Sequence, residues 1–457
     1  MNICVIGTGY VGLVTGVIFA DLGNDVTCVD KIKEKIDSLN KGIMPIYEPG
    51  LEEMVKRNVV DNRLFFSTDL HGAVEKAEII FICVGTPPKD NGETDLSYVE
   101  GAAKGIAKSI NGYKIIVNKS TVPVGTGDFV RKVIEKNMTR NTDPSLRPAG
   151  TSFDVVSNPE FLREGSAIAD ALSPDRIIIG APTKQVAVKL LELYATIGRP
   201  MLITDVYSAE IIKYASNAFL AMKISFINAI ADICELTGAN VTDVAKGVGY
   251  DSRIGQAFLN AGLGFGGSCF PKDIQSLVHT AEKFGYNFKL LKSILDINKK
   301  RVPHFVEIIK DKLVPAEPAP AVVSRGYKQG TGGLKGKIIG VLGLSFKPDT
   351  DDMRDAKSVE IINILLNEGA VIKAYDPVAM ENAKKILPAV KYCANAYEVS
   401  EGADALVVIT EWREFKLLNM ERIKNLMHSP LIFDGRNIYD AERTRKMGFE
   451  YYSIGRP

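Results

Sequence analysis

No stretch of the chain comes near the ~20 consecutive apolar residues that a helix needs to cross a bilayer. Nor is there an excess of either charge: 56 basic and 55 acidic side chains leave a net charge of +1. Proteins that neutralise phosphates along a nucleic-acid groove carry a basic surplus, so that class is excluded, although a small basic patch for one anionic ligand stays open. The six cysteines, at positions 4, 28, 83, 234, 269 and 393, form no C-x-x-C pair and no cluster with the four histidines. Structural zinc and a disulfide framework are both disfavoured, and no metal site is expected. A basic n-region and a cleavage site are also missing, because Met1-Asn2-Ile3 leads directly into an apolar run. The expectation is a cytoplasmic protein that binds neither nucleic acid nor membrane.

What is present is ordinary globular material: 457 residues, 46% hydrophobic and 24% charged, enough for about three domains at ~150 residues each. Disorder as the main state is excluded. Ile3 to Ile6 reads as a buried strand, followed by a glycine turn and a helix through Leu22. Asp25 to Val29, Glu78 to Val84, Ile115 to Asn118 and Asp154 to Ser157 read as further strands with helical patterns between them. Such alternation predicts βαβ units and a parallel sheet covered on both faces. From Tyr207 to Leu236 the pattern becomes one long helix, with Ile211, Ala215, Phe219, Met222 and Phe226 as an apolar stripe. Helical segments continue to about Lys312. The Pro/Ala/Gly-rich stretch from Pro315 to Gly336 reads as a linker or insertion, and Arg140 to Ser152 as a smaller one.

After Lys337 the first pattern returns. Ile338 to Leu342, a glycine, a helix from Ala356 to Asn367, and Val371 to Tyr375 ending at Asp376 repeat the order of Ile3 through Asp30. The fold class is therefore α/β, with two Rossmann-like lobes joined by a long central helix and a helical middle. The expected boundaries are 1–204 for a dinucleotide-binding lobe, 205–313 for the helical middle, 314–336 for a linker and 337–457 for a second lobe. A cleft between the lobes is the natural place for a substrate.

Four segments carry chemistry. Gly7-Thr8-Gly9-Tyr10-Val11-Gly12 is G-x-G-x-x-G between a strand and a helix, a turn suited to a pyrophosphate. The second strand ends at Asp30, whose carboxylate accepts bonds from ribose hydroxyls and repels a 2′-phosphate, so NAD is favoured over NADP. In Gly262-Leu-Gly-Phe-Gly-Gly-Ser-Cys269-Phe-Pro271-Lys272-Asp273, Pro271 suits the first position of a helix. Cys269 would then lie just ahead of a positive helix end, with Lys272 adding charge, which favours a nucleophilic thiolate over an inert thiol in a glycine turn. Lys213 and Asn217, at i and i+4, share a helix face; Lys213 is either a snorkelling surface residue or a functional amine. Glu160 and Glu164, in the loop after a strand, suit acid/base work or the organisation of water. In the second lobe Ser345-Phe346-Lys347-Pro348 replaces the third glycine, so something other than a dinucleotide is expected there. The acidic run Asp349, Asp351, Asp352 and Asp355 reads as a solvated helix-start cluster paired with Arg354, in preference to a metal site.

Taken together, these segments closely resemble the nucleotide-sugar 6-dehydrogenases of the UDP-glucose/GDP-mannose dehydrogenase family. The matching pieces are GTGYVG at Gly7, VGTPP at Val84, KSTVPVGT at Lys119, NPEFLREG at Asn158, KYASNAF at Lys213, SRIG at Ser252, GFGGSCFPKD at Gly264, FKPDTDDMRDA at Phe346 and FDGRN at Phe433. The resemblance implies four-electron oxidation of a UDP-hexose at C6 with NAD, through a thiohemiacetal and then a thioester on Cys269. It implies that Lys213 stabilises the oxyanion, that Asp273, Glu160 and Thr121 organise water, and that Asn217 holds sugar hydroxyls. Implied substrate contacts are Glu160, Phe161, Leu162, Arg163, Glu164, Lys213, Asn217, Asn260, Leu263, Gly264, Phe265, Gly266, Phe346, Lys347 and Arg436, with Arg253 reaching across a homodimer. Besides the glycine turn and Asp30, implied NAD contacts are Lys35, Thr86, Pro87, Thr121, Glu164, Lys272 and Arg354. Ser268, where N-acetyl-sugar enzymes of the family tend to have His, and Arg253-Ile254-Gly255 favour UDP-glucose. GDP-mannose is the alternative substrate, and a non-catalytic dinucleotide sensor the alternative class.

Overall fold

The computed structural model describes residues 1–141, 152–314 and 333–457. Most of both expected insertions, 140–152 and 314–336, thus lies outside the described residues. The chain divides into two compact units: Met1–Asn217 with Lys272–Asn287, and Ala218–Pro271 with Phe288–Pro457.

Among the described residues of the first unit, eight strands form one sheet: β1 (Asn2–Ile6), β2 (Asp25–Val29), β3 (Leu64–Ser67), β4 (Ile79–Ile82), β5 (Lys114–Asn118), β6 (Phe153–Ser157), β7 (Ile177–Gly180) and β8 (Met201–Thr204). Their order is β3-β2-β1-β4-β5-β6-β7-β8. The order reverses between β1 and β4, the position at which open α/β sheets place their ligands. Because side chains alternate along a strand, β1 sends Ile3 and Val5 into one core and Cys4 and Ile6 into the other. β4 does the same with Ile79 and Phe81 against Ile80 and Ile82. Both faces are dry, which is why these strands read as unbroken apolar runs. One junction departs from the expected all-parallel sheet: β6 meets β7 antiparallel, through Ser157 and Gly180. The burial pattern of a short apolar strand is the same whichever way it runs, so composition carries no sign of this.

Among the described residues of the second unit, six strands form a parallel sheet: β9 (Ile338–Leu342), β10 (Val371–Tyr375), β11 (Lys391–Tyr392), β12 (Ala405–Val408), β13 (Leu431–Asp434) and β14 (Glu450–Ser453). The order β11-β10-β9-β12-β13-β14 repeats that of the first six strands, so the internal echo in the sequence is a repeat of topology. The long helix runs from Val206 to Thr237, a second from Lys289 to Leu313, and the helix after Cys269 from Phe270 to Lys283. Pro271 is thus the second helical residue, not the first, within the opening turn where its missing N–H costs nothing.

Candidate active site

The nucleotide turn is built by close packing. A Cβ at Gly12 would stand 1.8 Å from the Gly7 carbonyl oxygen, so only glycine lets the helix Tyr10–Asp21 lie against its turn. Among the described residues, nothing beyond its own chain neighbours lies within 4 Å of where a Gly9 Cβ would be, which leaves room for a ligand. That helix has no capping side chain at Gly9 and no acidic residue in its first turn, so its leading N–H groups suit an anion. Asp30 accepts bonds from Thr8 N at 3.0 Å and Thr8 Oγ1 at 2.8 Å on Oδ2, and from Ile32 N at 3.2 Å on Oδ1. Lys35 Nζ lies 3.2 Å from Oδ2. Burial alone raises the Asp30 pKa, but these bonds and the Lys35 charge outweigh it and hold the group below the ordinary carboxylate range. A carboxylate accepts about four hydrogen bonds, and Oδ1 takes only one here, so capacity for a ribose hydroxyl remains. These residues fit a dinucleotide. Beside them Thr86 is buried and donates to the Thr121 carbonyl at 2.9 Å, and Pro87 is exposed.

The first unit also brings together most of the candidate catalytic groups. Lys213 is buried, with Nζ 3.1 Å from Glu160 Oε1 and 5.2 Å from the centre of the Phe161 ring. Its reading as a snorkelling surface residue is overturned: an inward ammonium on an apolar helix face needs a carboxylate, and Glu160 supplies it. The other Glu160 oxygen accepts from Leu162 N at 2.5 Å. One turn along the long helix, Asn217 donates to Asp273 at 2.6 Å, and Lys272 holds the other Asp273 oxygen at 2.6 Å. Lys213, Asn217, Glu160 and Asp273 are all buried. Arg163 instead turns to Asp170, and Glu164 is half-buried.

Sequence reasoning passed over several supporting groups. Lys119 is buried, donating to Asn158 Oδ1 at 3.0 Å and Tyr194 OH at 3.2 Å. Burial pushes its ammonium down to about 8; Cys83 and Glu160 act against this, and Lys213 adds to it. Glu48 accepts from the N–H groups of Gly165 and Ala167, each at 2.7 Å, and so ties down the loop after Glu160. Glu210 accepts from the N–H groups of Gly125 and Gly127, and burial lifts it to about 7 against those bonds. None of the three sits in a pattern that signals burial; these partners are 39 or more residues away.

In the second unit, Cys269 stands at the head of the helix Phe270–Lys283, with Ser268 Oγ 3.6 Å from its sulfur. It is half-buried, whereas the other five cysteines are buried. Burial raises the Cys4 and Cys83 thiols to about 12, as inert core residues require. Leu263 and Phe265 point into the core, so what their segment offers a ligand is backbone. Gly267 N donates to the Arg354 carbonyl at 3.0 Å, and Arg436 reaches the carbonyls of Ile409 and Phe346. These bonds gather Gly262–Gly267, Phe346, Arg354 and Arg436 in one neighbourhood; Lys347 lies over the Phe346 ring. Arg354 pairs with Asp352, whose side chain is largely buried and so not part of a solvated cluster. Arg253 and Asn260 are exposed, and Arg253 pairs with Asp251. Asp376, the topological counterpart of Asp30, is consumed by the chain itself. It accepts from the N–H groups of Leu344, Ser345, Val378 and Ala379 and from Trp412 Nε1.

Residues 1–198 match the NAD binding domain of the UDP-glucose/GDP-mannose dehydrogenase family, 207–300 its central domain and 340–441 its UDP binding domain. The chain is 48% identical to the UDP-glucose 6-dehydrogenase TuaD of Bacillus subtilis, over 100% of this chain and 93% of that protein. It is 47% identical to the UDP-glucose 6-dehydrogenase of Rhizobium meliloti over 100% of both. Among solved structures, a UDP-glucose dehydrogenase from Pyrobaculum islandicum superposes with a TM-score of 0.87 at 36% identity, covering 99% of this chain and 96% of that one. The chain belongs to the UDP-glucose/GDP-mannose dehydrogenase family.

Proposed function

We propose that this chain oxidises the C6 hydroxymethyl group of UDP-glucose to a carboxylate, giving UDP-glucuronate, with Cys269 as the covalent nucleophile. The observation that carries this reading is the half-buried Cys269 at a helix head, in a chain whose other five cysteines are buried. NAD, when bound, accepts a hydride in each of the two oxidations. The remaining work falls to side chains. A water ordered by Thr121, Glu160 and Asp273 takes the C6 hydroxyl proton, and Lys213, held by Glu160, offers a positive charge to the resulting alkoxide and to the later tetrahedral oxyanion. The Cys269 thiolate adds to the C6 aldehyde, and the resulting thiohemiacetal is oxidised to a thioester. Asp273, positioned by Asn217 and Lys272, takes a proton from the water that hydrolyses it. Thr121 helps to order that water. Asp30, Lys35, Thr86, Pro87, Glu164, Lys272 and Arg354 would contact NAD.

The functional division we propose is 1–204 for NAD, 205–313 for dimerisation and the cysteine, and 337–457 for the UDP-sugar, with 314–336 as linker. The dimer rests on the outer face of the long helix, where Phe219 is 59% exposed, Phe226 50% and Ile233 53%. An apolar stripe of that kind calls for a partner, and Arg253, exposed and near it in sequence, would serve the partner's substrate. No described helix is long and apolar enough to cross a membrane; six cysteines without a disulfide pattern suit a reducing cytoplasm.

The test is NADH formation with UDP-glucose, UDP-N-acetylglucosamine, UDP-galactose and GDP-mannose. UDP-glucose should lead by kcat/KM. A lead by GDP-mannose would replace the substrate, and binding without turnover would favour the sensor.

A further inference from the structure

Between Gly262 and Gly267 four of six residues are glycine, so this segment has little intrinsic reason to hold one shape. In the structure it is held by three side chains from two helices. Asn298 pairs with both backbone groups of Phe265, accepting from its N–H at 2.8 Å and donating to its carbonyl at 3.0 Å, as a neighbouring strand would. Asn228 accepts from Gly262 N at 2.8 Å, and Arg301 Nε donates to the Gly262 carbonyl at 3.3 Å. Gly264 has φ +91°, and a Cβ there would stand 2.3 Å from Asn298 Oδ1. The amide and the left-handed turn therefore fit only each other.

We propose that Asn228, Asn298 and Arg301 are positioning residues that clamp the backbone of Gly262–Phe265 in its sugar-binding shape ahead of Cys269. This rests on the reading above that the segment contacts the sugar. Two features favour the role over simple core packing. Among the described residues Asn228 Nδ2 and Arg301 Nη2 are buried without an acceptor. Apolar residues of similar size would fill the same space without that cost, so the polar side chains are explained by what their other atoms hold: the loop for Asn228, and the loop together with Asp232 for Arg301. The clamp also divides the labour along the segment. It occupies both polar groups of Gly262 and Phe265, and leaves the N–H groups of Leu263 and Gly264 without a bond among the described residues. A loop ordered in advance spares its ligand the entropy of ordering it, so the clamp acts on sugar affinity.

The test uses the full-length protein with Asn298→Ala and, separately, Asn228→Ala. KM is measured for UDP-glucose and for NAD, together with the UDP-glucose concentration that protects Cys269 from iodoacetamide. Each variant should raise KM for UDP-glucose about tenfold or more and leave KM for NAD within about twofold. The protecting concentration should rise in parallel with KM for UDP-glucose. Unchanged UDP-glucose affinity in both variants overturns the inference. So does an equal rise in both KM values with lowered thermal stability, the mark of a purely structural role. If Asn298→Ala does not fold, Asn228→Ala decides, and if neither folds the side chains hold the fold and not the loop. Absence of wild-type turnover on UDP-glucose would instead sink the functional reading on which this rests.

Discussion

Lys213 and Lys119 are both buried ammonium groups in the first unit, yet their surroundings differ. Lys213 is bonded to a carboxylate, whereas Lys119, among the described residues, bonds neutral oxygens. Lys213→Ala should strand Glu160 as a buried unpaired charge, costing about 3–5 kcal/mol of stability. It should also slow hydride transfer by roughly 10²–10³-fold through loss of oxyanion stabilisation; pre-steady-state NADH formation and thermal melts check the two effects separately. For Lys119 the pKa is lower in the folded chain than in the unfolded one. Between pH about 8 and 10.5 the unfolded state therefore binds the extra proton, and stability rises with pH across that window. The increment is on the order of 1–3 kcal/mol and should vanish in Lys119→Met. Melting curves of both proteins from pH 7 to 10 read it, and parallel curves would contradict the buried charge. Asp30→Ala should weaken NAD binding and narrow the preference for NAD over NADP, since a bonded acceptor and a repulsive charge go together. A wild type that already uses both cofactors would contradict that assignment. At this scale the sequence nominated the residue types of the candidate site, but not which of them are buried together. Burial of Lys119 depends on Asn158 and Tyr194, 39 and 75 residues further on.

The long central elements were legible and the short peripheral ones were not. The helix read as Tyr207–Leu236 runs from Val206 to Thr237, and Val371–Tyr375 is a strand at both stated ends. Each has a repeating apolar pattern long enough to name its period. β3, β8 and β11 are two to four residues long and partly exposed, with Phe65 and Leu202 facing solvent, so they offer no run to read. β7 is fully buried but has only four residues, Ile177–Gly180, too few to separate strand from helix by periodicity. The long helix carries two apolar stripes. One packs inward through Tyr214, Ala218 and Ala221, and the other, through Ile211, Phe219 and Phe226, stays exposed. The second stripe is where the dimer prediction applies. Phe219→Asp with Phe226→Asp should shift the protein from dimer to monomer in sedimentation velocity and, if Arg253 serves the partner's site, reduce kcat/KM at least tenfold. A fully active monomeric wild type would contradict both parts.

At the scale of the whole molecule, the chain is one topology used twice for different ends. The first sheet keeps an open glycine turn and an acidic strand end with spare acceptor capacity. In the second sheet the corresponding aspartate is spent on its own backbone, and the neighbouring loops gather around the glycine segment before Cys269. The substitution of Ser345-Phe346-Lys347-Pro348 for the third glycine announced that difference in the sequence. The closing of the aspartate by Trp412 and Ala379 did not, because those contacts exist only once the sheet has formed. Whether the whole works as a four-electron dehydrogenase on one cysteine is decided by stoichiometry. NADH formed should be compared with UDP-glucose consumed to completion, in the wild type and in Cys269→Ser, with the intact protein mass recorded for the variant. The expected result is two NADH per UDP-glucose in the wild type, and negligible turnover in Cys269→Ser with sugar retained as an ester adduct on the protein. One NADH per sugar with release of the aldehyde, or near-normal carboxylate formation by Cys269→Ser, would contradict it.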